Sequence, residues 1–376
     1  MNAKLFKNLA MPIALVAICA FFAVKEPAFL GPRNLTQLIV EFSITGTLAL
    51  GMFMILLTGQ IDLSVGSGVG LIGGLAAVLV FQRGWSAPLA MGGSFVAALV
   101  LWTAMGTLIV RQRIPSFIIT LGGLLIFKGL FWLVIQNSTI PVSRGDEENL
   151  YSRLTTYYLP ASVGFALAAI VVLALGVLAW RSRAARAAHQ LANPPATRAI
   201  GQWIVMTAAT LGLVYFFNHF RGVPLTLLIL AGTAGVVYFL TQHTPFGRYL
   251  YAIGGNEEAA VLSGIAVNRV LVGAYVLMGV TVALTGFMTT AYSGASTTTV
   301  GDLMELDAIA ACVIGGTALK GGRGTVWGVI FGALIMTALL NGMTLLAVSP
   351  ETKFIARGGV LTLAVWMDVR LSSGKR

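Results

Sequence analysis

Four ionisable residues, Glu41, Lys128, Asp307 and Arg357, fall inside runs of otherwise apolar residues. Ionisable groups in such surroundings are costly, and where they persist they face a partner or a water-filled cavity. Glu41 and Asp307 have the chemistry to hydrogen-bond a polar solute, or to close an ion pair with a neighbouring element. Lys128 and Arg357 have stems long enough to carry their charge to an interface. Asp62, in GQIDLSVGSG, and Lys320, in LKGGRG, hold matching places in two glycine-rich turns and are oppositely charged, so a pair between them is a further expectation. None of these groups makes a catalytic constellation. The chain has no G-x-x-x-x-G-K-[ST] phosphate loop, no H-E-x-x-H and no G-x-S-x-G. His189, His219 and His243 form no cluster, and Cys19 and Cys312 lie in apolar runs without metal-ligand spacing. Catalysis, a metal site and a bound cofactor are therefore not expected in this chain.

Residues 244–270, TPFGRYLYAIGGNEEAAVLSGIAVNRV, carry a different chemistry, that of docking. A polar stretch this long cannot lie in hydrocarbon and must meet water or another protein. Its centre reads as a short capped helix. Asn256 suits the N-cap, where a side-chain oxygen accepts from free backbone N–H groups. Glu257 and Glu258 follow in the first turn, where the helix dipole favours negative charge. Ala259, Ala260, Val261 and Leu262 continue it, and Gly264 is a natural stop. A helix of about two turns is not stable alone. It needs a surface behind it and has one to offer in front.

The elements that must position these residues follow from composition. The 376 residues are 57% hydrophobic and only 10% charged, far below the roughly 25% of soluble domains. Apolar runs of about 20 residues recur along the chain, which is the signature of membrane helices. The weak alternating pattern of a β-barrel is absent. Twelve runs qualify, from 9–24 and 35–58 to 325–348 and 354–367, and the tenth, 307–319, is short. The expected fold is an all-α polytopic membrane bundle, one transmembrane domain over 1–376.

The net charge of +11 has a topological cause rather than a nucleic-acid partner. With both ends on the inner side, about fifteen Lys and Arg fall inside against seven outside, the bias that marks cytoplasmic loops. Segment 181–199, with Arg181, Arg183, Arg186 and Arg198, is then a basic cytoplasmic loop, and 244–270 also faces the cytoplasm. Residues 136–158 form an outer polar loop that holds Asp146, Glu147 and Glu148.

An internal repeat is also visible. Aligning Gly66 with Gly324 matches Gly70 with Gly328 and Gly74 with Gly332. Small residues at every fourth position let helix backbones approach closely in a bilayer. Helix packing accounts for this pattern, and so do two related halves in parallel topology around a central path.

Four ordered stretches, IDLSVGS (61–67), IPSFIITLGG (114–123), YAIGGNEEAAVLSGI (251–265) and LDAIAACVIGGTALKGGRG (306–324), resemble the permease subunits of bacterial ABC importers for ribose, xylose and related sugars. The resemblance spans nearly the whole chain. The extra length over 161–240, with YLPAS at 158–162 and RGVP at 221–224, is most similar to the xylose branch. It implies a type II importer fold in the bacterial inner membrane and a permease homodimer. It also implies a separate ABC ATPase subunit that binds ATP, and a periplasmic sugar-binding protein. By resemblance, Gly254, Gly255, Asn256, Glu257, Glu258, Ala259, Ala260 and Gly264 form the helix that couples the permease to the ATPase. Gln60, Lys320 and Arg323 depart from the usual family pattern. A secondary sugar transporter driven by an ion gradient is the rival reading, and it needs Glu41 or Asp307 as an essential acid.

Overall fold

A computed structural model describes residues 3–145, 148–193 and 195–373. Asp146, Glu147, Pro194, Lys375 and Arg376 therefore lie outside the described residues. Long apolar runs become helices because a helix pairs its backbone groups within itself, the condition for crossing hydrocarbon. In chain order these are α1 (Ala3–Lys25), α2 (Pro32–Leu57), α3 (Val65–Phe81), α4 (Ala87–Gln112), α5 (Ser116–Ile135), α6 (Leu150–Thr156), α7 (Ala161–Ala188) and α8 (Ala196–Phe217). There follow α9 (Leu225–His243), α10 (Pro245–Gly255), α11 (Glu257–Leu262), α12 (Val267–Tyr292), α13 (Met304–Ile314), α14 (Val326–Leu345) and α15 (Pro350–Ser373). Setting aside the short α6, α10 and α11, twelve helices remain, one for each apolar run. Eight of the described helices are long and apolar enough to cross a membrane unaided. The end of the bundle that carries α10 and α11 is here the lower end.

α2 and α12 form the centre. Every residue from Gly46 to Thr58 is buried, so α2 is covered on all sides by protein. The two run antiparallel. The Tyr292 hydroxyl, at the end of α12, donates to Glu41 near the start of α2 (2.9 Å), while Gly51 lies against Met278 and Thr281. Around this pair the packing has a two-fold pattern. α2 packs on α13 and α14, as α12 packs on α3 and α4; α3 packs on α5, as α13 packs on α15. The pattern relates α2 to α12, α3 to α13, α4 to α14 and α5 to α15, with the chain direction reversed.

The halves are thus inverted, which corrects the parallel repeat expected from the glycines. The matched glycines do not make matched contacts. Gly66 and Gly70 admit the segment before α13, and Gly70 and Gly74 admit Phe131 of α5. Gly328 and Gly332 instead meet the backbone of α13 at Gly315 and Ala311. Gly324 is not helical at all; it precedes Thr325, the N-cap of α14. Close-packed glycines record that something lies near a backbone, not which element it is.

α3 and α13 have 17 and 11 residues. At about 1.5 Å per residue they rise roughly 25 and 16 Å, less than the ~30 Å of a hydrocarbon core. Each begins inside the bundle after a non-helical stretch, 59–64 and 297–303, and the two heads meet. A side chain at Gly66 would overlap the Glu305 carboxylate, and one at Gly301 would overlap the Gly66 carbonyl. Broken helices of this kind are tolerated at membrane depth only where protein or water covers them.

Two expected loops have more structure than their composition implied. In 136–158, Ile140–Pro141 (β1) pairs with Ala295–Ser296 (β4), and Tyr158–Leu159 (β2) pairs with Val223–Pro224 (β3), both antiparallel. Between them α6 starts in a capping box on Asn149 and Ser152, and buried Tyr151 donates to the Gly73 carbonyl (2.8 Å). This segment packs on α3 and α12. Segment 181–199 is mostly helical, because α7 runs on to Ala188 and α8 starts at Ala196. Ala184, Ala185, Ala187 and Ala188 are strong helix formers, and they carry Arg181, Arg183 and Arg186 on the same helix.

Candidate functional site

At the lower end the chain leaves α9 and turns through Thr244. The Thr244 side chain accepts from the Gly247 N–H (3.3 Å), and Pro245 occupies the first position of α10, where its missing N–H costs nothing. Phe246, Leu250 and Ile253 recur at helical spacing, and Leu250 and Ile253 are buried against the bundle. This helix was hidden in a stretch read only as polar; the T-P start and the 246/250/253 period are the signal for it.

α11 follows after a single residue. Asn256 ends α10 and begins α11, its side-chain oxygen accepting from the Ala259 N–H (2.9 Å). Glu257 and Glu258 stand exposed in the first turn, and Ala260 is the buried contact. Gly264 has φ +79°, a backbone position that side chains disfavour. The outer face carries Val261 and Leu262, the latter 89% exposed. Beside it lies a groove of about 480 Å³ lined by Gln60, Arg113, Pro115, Glu257, Val261 and Asn268. The helix thus presents an apolar tip flanked by acids beside this groove.

The α10–α11 joint is held from behind by backbone. The Gly322 N–H donates to the Leu57 carbonyl (2.9 Å), joining the turn after α13 to the end of α2. Gly254 fills the gap beside that bond. A Cβ there would overlap the Leu57 oxygen and stand 2.9 Å from the Gly321 Cα. Gly321 (φ +86°) in turn lies against Gly59 (φ +76°). A Cβ on Gly255 would meet nothing within 4 Å. The Tyr251 hydroxyl donates to the Gly324 carbonyl (3.0 Å), and burial raises its pKa, so it stays a donor. One short segment thus touches the lower turns of both halves of the bundle.

Each of the acids picked out in the sequence has partners within the bundle. Asp62 is fully buried, with Oδ1 accepting from the Ser64 N–H (2.9 Å) and hydroxyl (2.6 Å) and Oδ2 from the Trp102 indole (2.8 Å). Lys320 is exposed, so the expected Asp62–Lys320 pair does not form. Asp307 pairs with Arg357 (3.3 Å), tying α13 to α15. Glu41 accepts from Tyr292 and from Asn341 (3.3 Å), and Asn34 donates to Asn341 (2.9 Å), so Glu41 belongs to a network joining the upper ends of α2, α12 and α14. Lys128 does not reach for an interface; it turns to Asp302. Trp102, Asp302 and Glu305 went unread, because their partners lie far along the chain.

A polytopic helical bundle with two inverted halves, broken central helices and a short exposed helix at one end has the architecture of a transport permease. The family described as branched-chain amino acid transport system / permease component matches residues 34–365, and the chain belongs to it. It is therefore a multi-pass inner-membrane protein of the ABC permease class, whose members are not enzymes and work with an ATPase and a substrate-binding protein.

Among its relatives, the xylose transport system permease protein XylH of Escherichia coli K12 is 40% identical over 98% of this chain and 92% of its own length. XylH of Haemophilus influenzae is 39% identical over 95% of each chain. The ribose import permease protein RbsC of Bacillus subtilis is 32% identical over 96% of this chain and 92% of its own. No solved structure matches.

Proposed function

We propose that this chain is the membrane subunit of an ATP-driven pentose importer, and that the pentose is D-xylose. Two copies form the pathway, an ATPase subunit binds ATP and docks on α11 from the cytoplasm, and a periplasmic sugar-binding protein delivers sugar to the upper end. The lower end, both termini included, faces the cytoplasm, in keeping with the excess of Lys and Arg on that side. The xylose assignment is supported by 39–40% identity to two xylose permeases against 32% to a ribose permease.

The observation that carries the reading is α11 itself. It presents Val261 and Leu262 to solvent, anchored by Ala260 and backed by the glycine joint. An exposed apolar tip on so short a helix is stable only as half of an interface. Closure of the ATPase dimer pushes α11, the joint passes that push to the ends of α2 and α13, and the two halves change which side is open. The ion-coupled alternative draws no support from Glu41, hydrogen-bonded to Tyr292 and Asn341, or from Asp307, ion-paired with Arg357.

Glu258→Lys, Leu262→Asp and a Gly inserted after Gly255 test the reading. In proteoliposomes with ATPase and binding protein, each variant is expected to insert normally yet take up labelled xylose at about a tenth of the wild-type rate or less. Normal uptake in all three variants would show that α11 is not the docking element.

A further inference from the structure

Lys128, Trp132 and Asp302 form a polar–aromatic platform that coupling does not use. Lys128 Nζ donates to the Asp302 carboxylate and to the Thr298 carbonyl (2.8 Å), and lies 5.5 Å from the centre of the Trp132 ring. The Trp132 indole N–H donates to the same carbonyl (3.3 Å). Both ends of the platform remain open: Trp132 is 43% exposed and the Asp302 side chain 48%. One turn away on α5, Gly129 is exposed with nothing within 4 Å of a would-be Cβ.

Depth makes this arrangement informative. Gly301, next to Asp302, packs against Gly66 in the first turn of α3, fifteen residues before Phe81 at the upper end. At about 1.5 Å per residue, Asp302 lies roughly 20 Å below that end. That is well inside a hydrocarbon core of ~30 Å. A half-exposed carboxylate and non-helical backbone at this depth do not face lipid. Water, or the second copy of the chain proposed above, therefore covers the α5 face at Trp132 and Gly129.

We infer that Trp132, Lys128 and Asp302 form a sugar-binding step on the aqueous path, midway between the delivering protein and the cytoplasm. The chemistry suits a pyranose. Its C–H face lies on the indole ring, and its hydroxyls donate to the Asp302 carboxylate and accept from the Lys128 ammonium. An exposed aromatic ring with a few convergent polar groups beside it is common in small-molecule sites. Because the polar groups already neutralise one another, the step holds sugar weakly, as a transit site must. The inference rests on the pentose-importer reading above.

Two measurements test it. In a Cys19→Ser background, with Cys312 fully buried, Gly129→Cys and Thr299→Cys are exposed to a charged, membrane-impermeant thiol reagent. Modification of both is expected; protection of both from the reagent would show that this face is not in water and overturn the inference. In the reconstituted complex, Trp132→Ala is expected to lower xylose uptake about tenfold or more while sugar-loaded binding protein still stimulates ATP hydrolysis. Trp132→Phe is expected to recover most of the uptake. Unchanged uptake in Trp132→Ala, or a matching fall in ATP hydrolysis, overturns the inference, the second outcome by making Trp132 structural. A Lys128→Asp/Asp302→Lys exchange that restores full uptake would do the same. Should the wild-type complex fail to carry xylose at all, the pentose reading falls, while the thiol labelling still decides whether the face is wet.

Discussion

Gly254→Ala is expected to separate ATP hydrolysis from sugar movement, and Gly255→Ala, one residue away, is expected to leave both intact. The contrast follows from where each Cβ would lie. At Gly254 it would overlap the Leu57 carbonyl oxygen, at the bond that joins the end of α2 to Gly322, and at Gly255 it would meet open space. Backbone cannot yield as a flexible side chain does, so α10 must lift away from the joint. Overpacking of this kind costs about 1–3 kcal/mol. Taken from the coupling between ATPase and permease, that is roughly 5–150-fold. The check is uptake of labelled xylose per ATP hydrolysed in proteoliposomes, for wild type and both alanine variants. Equal behaviour of the two variants would remove the joint from the coupling route.

The second large effect is expected from Asp62→Asn, which replaces one carboxylate oxygen by an NH₂ group. Both carboxylate oxygens of Asp62 accept, from the N–H and hydroxyl of Ser64 on one side and the Trp102 indole on the other. An amide has one accepting oxygen and one donating NH₂. Whichever way the new amide turned, one buried donor would face another. A buried group left unsatisfied costs about 1–3 kcal/mol, so thermal unfolding in detergent is expected to begin several degrees lower. The partner is identified by a double-mutant cycle: Trp102→Phe is expected to cost less in the Asp62→Asn background than in wild type. Strict additivity would mean that the Asp62–Trp102 bond contributes nothing. Lys320→Gln is expected to leave the unfolding temperature unchanged, since Lys320 is exposed.

How much of this was legible in the residues depends on the distance between partners. The α11 cap was readable because Asn256 and Ala259 are three residues apart, as was the Gly264 stop, a matter of one residue's φ. α10 was readable in principle from Thr244, Pro245 and the 246/250/253 period, yet its Gly, Arg and Tyr residues masked the amphipathic face. Asp62 was conspicuous as a charge, but its true partner Trp102 lies forty residues on, and the similarity of two glycine turns pointed to Lys320 instead. Lys128 and Asp302 are separated by 174 positions, and Asp302 looked like one more residue of an outer loop. The glycine ladders misled in the same way: Gly66 and Gly324 occur in similar strings, but one lies in a helix facing Glu305 and the other in a turn.

By itself the sequence determined that this is a polytopic all-α membrane protein, and that a short capped helix stands in a polar stretch between two of its apolar runs. Helix length, hydrophobicity and capping depend on residues within a few positions of one another, so they can be read along the chain. Only the tertiary structure decided that the halves are inverted, that two broken helices meet head to head, and that Gly254 lies between the turns that follow α2 and α13. Those features depend on which distant segments come within a van der Waals radius or a hydrogen bond of each other, and that is set by the packing of the whole bundle.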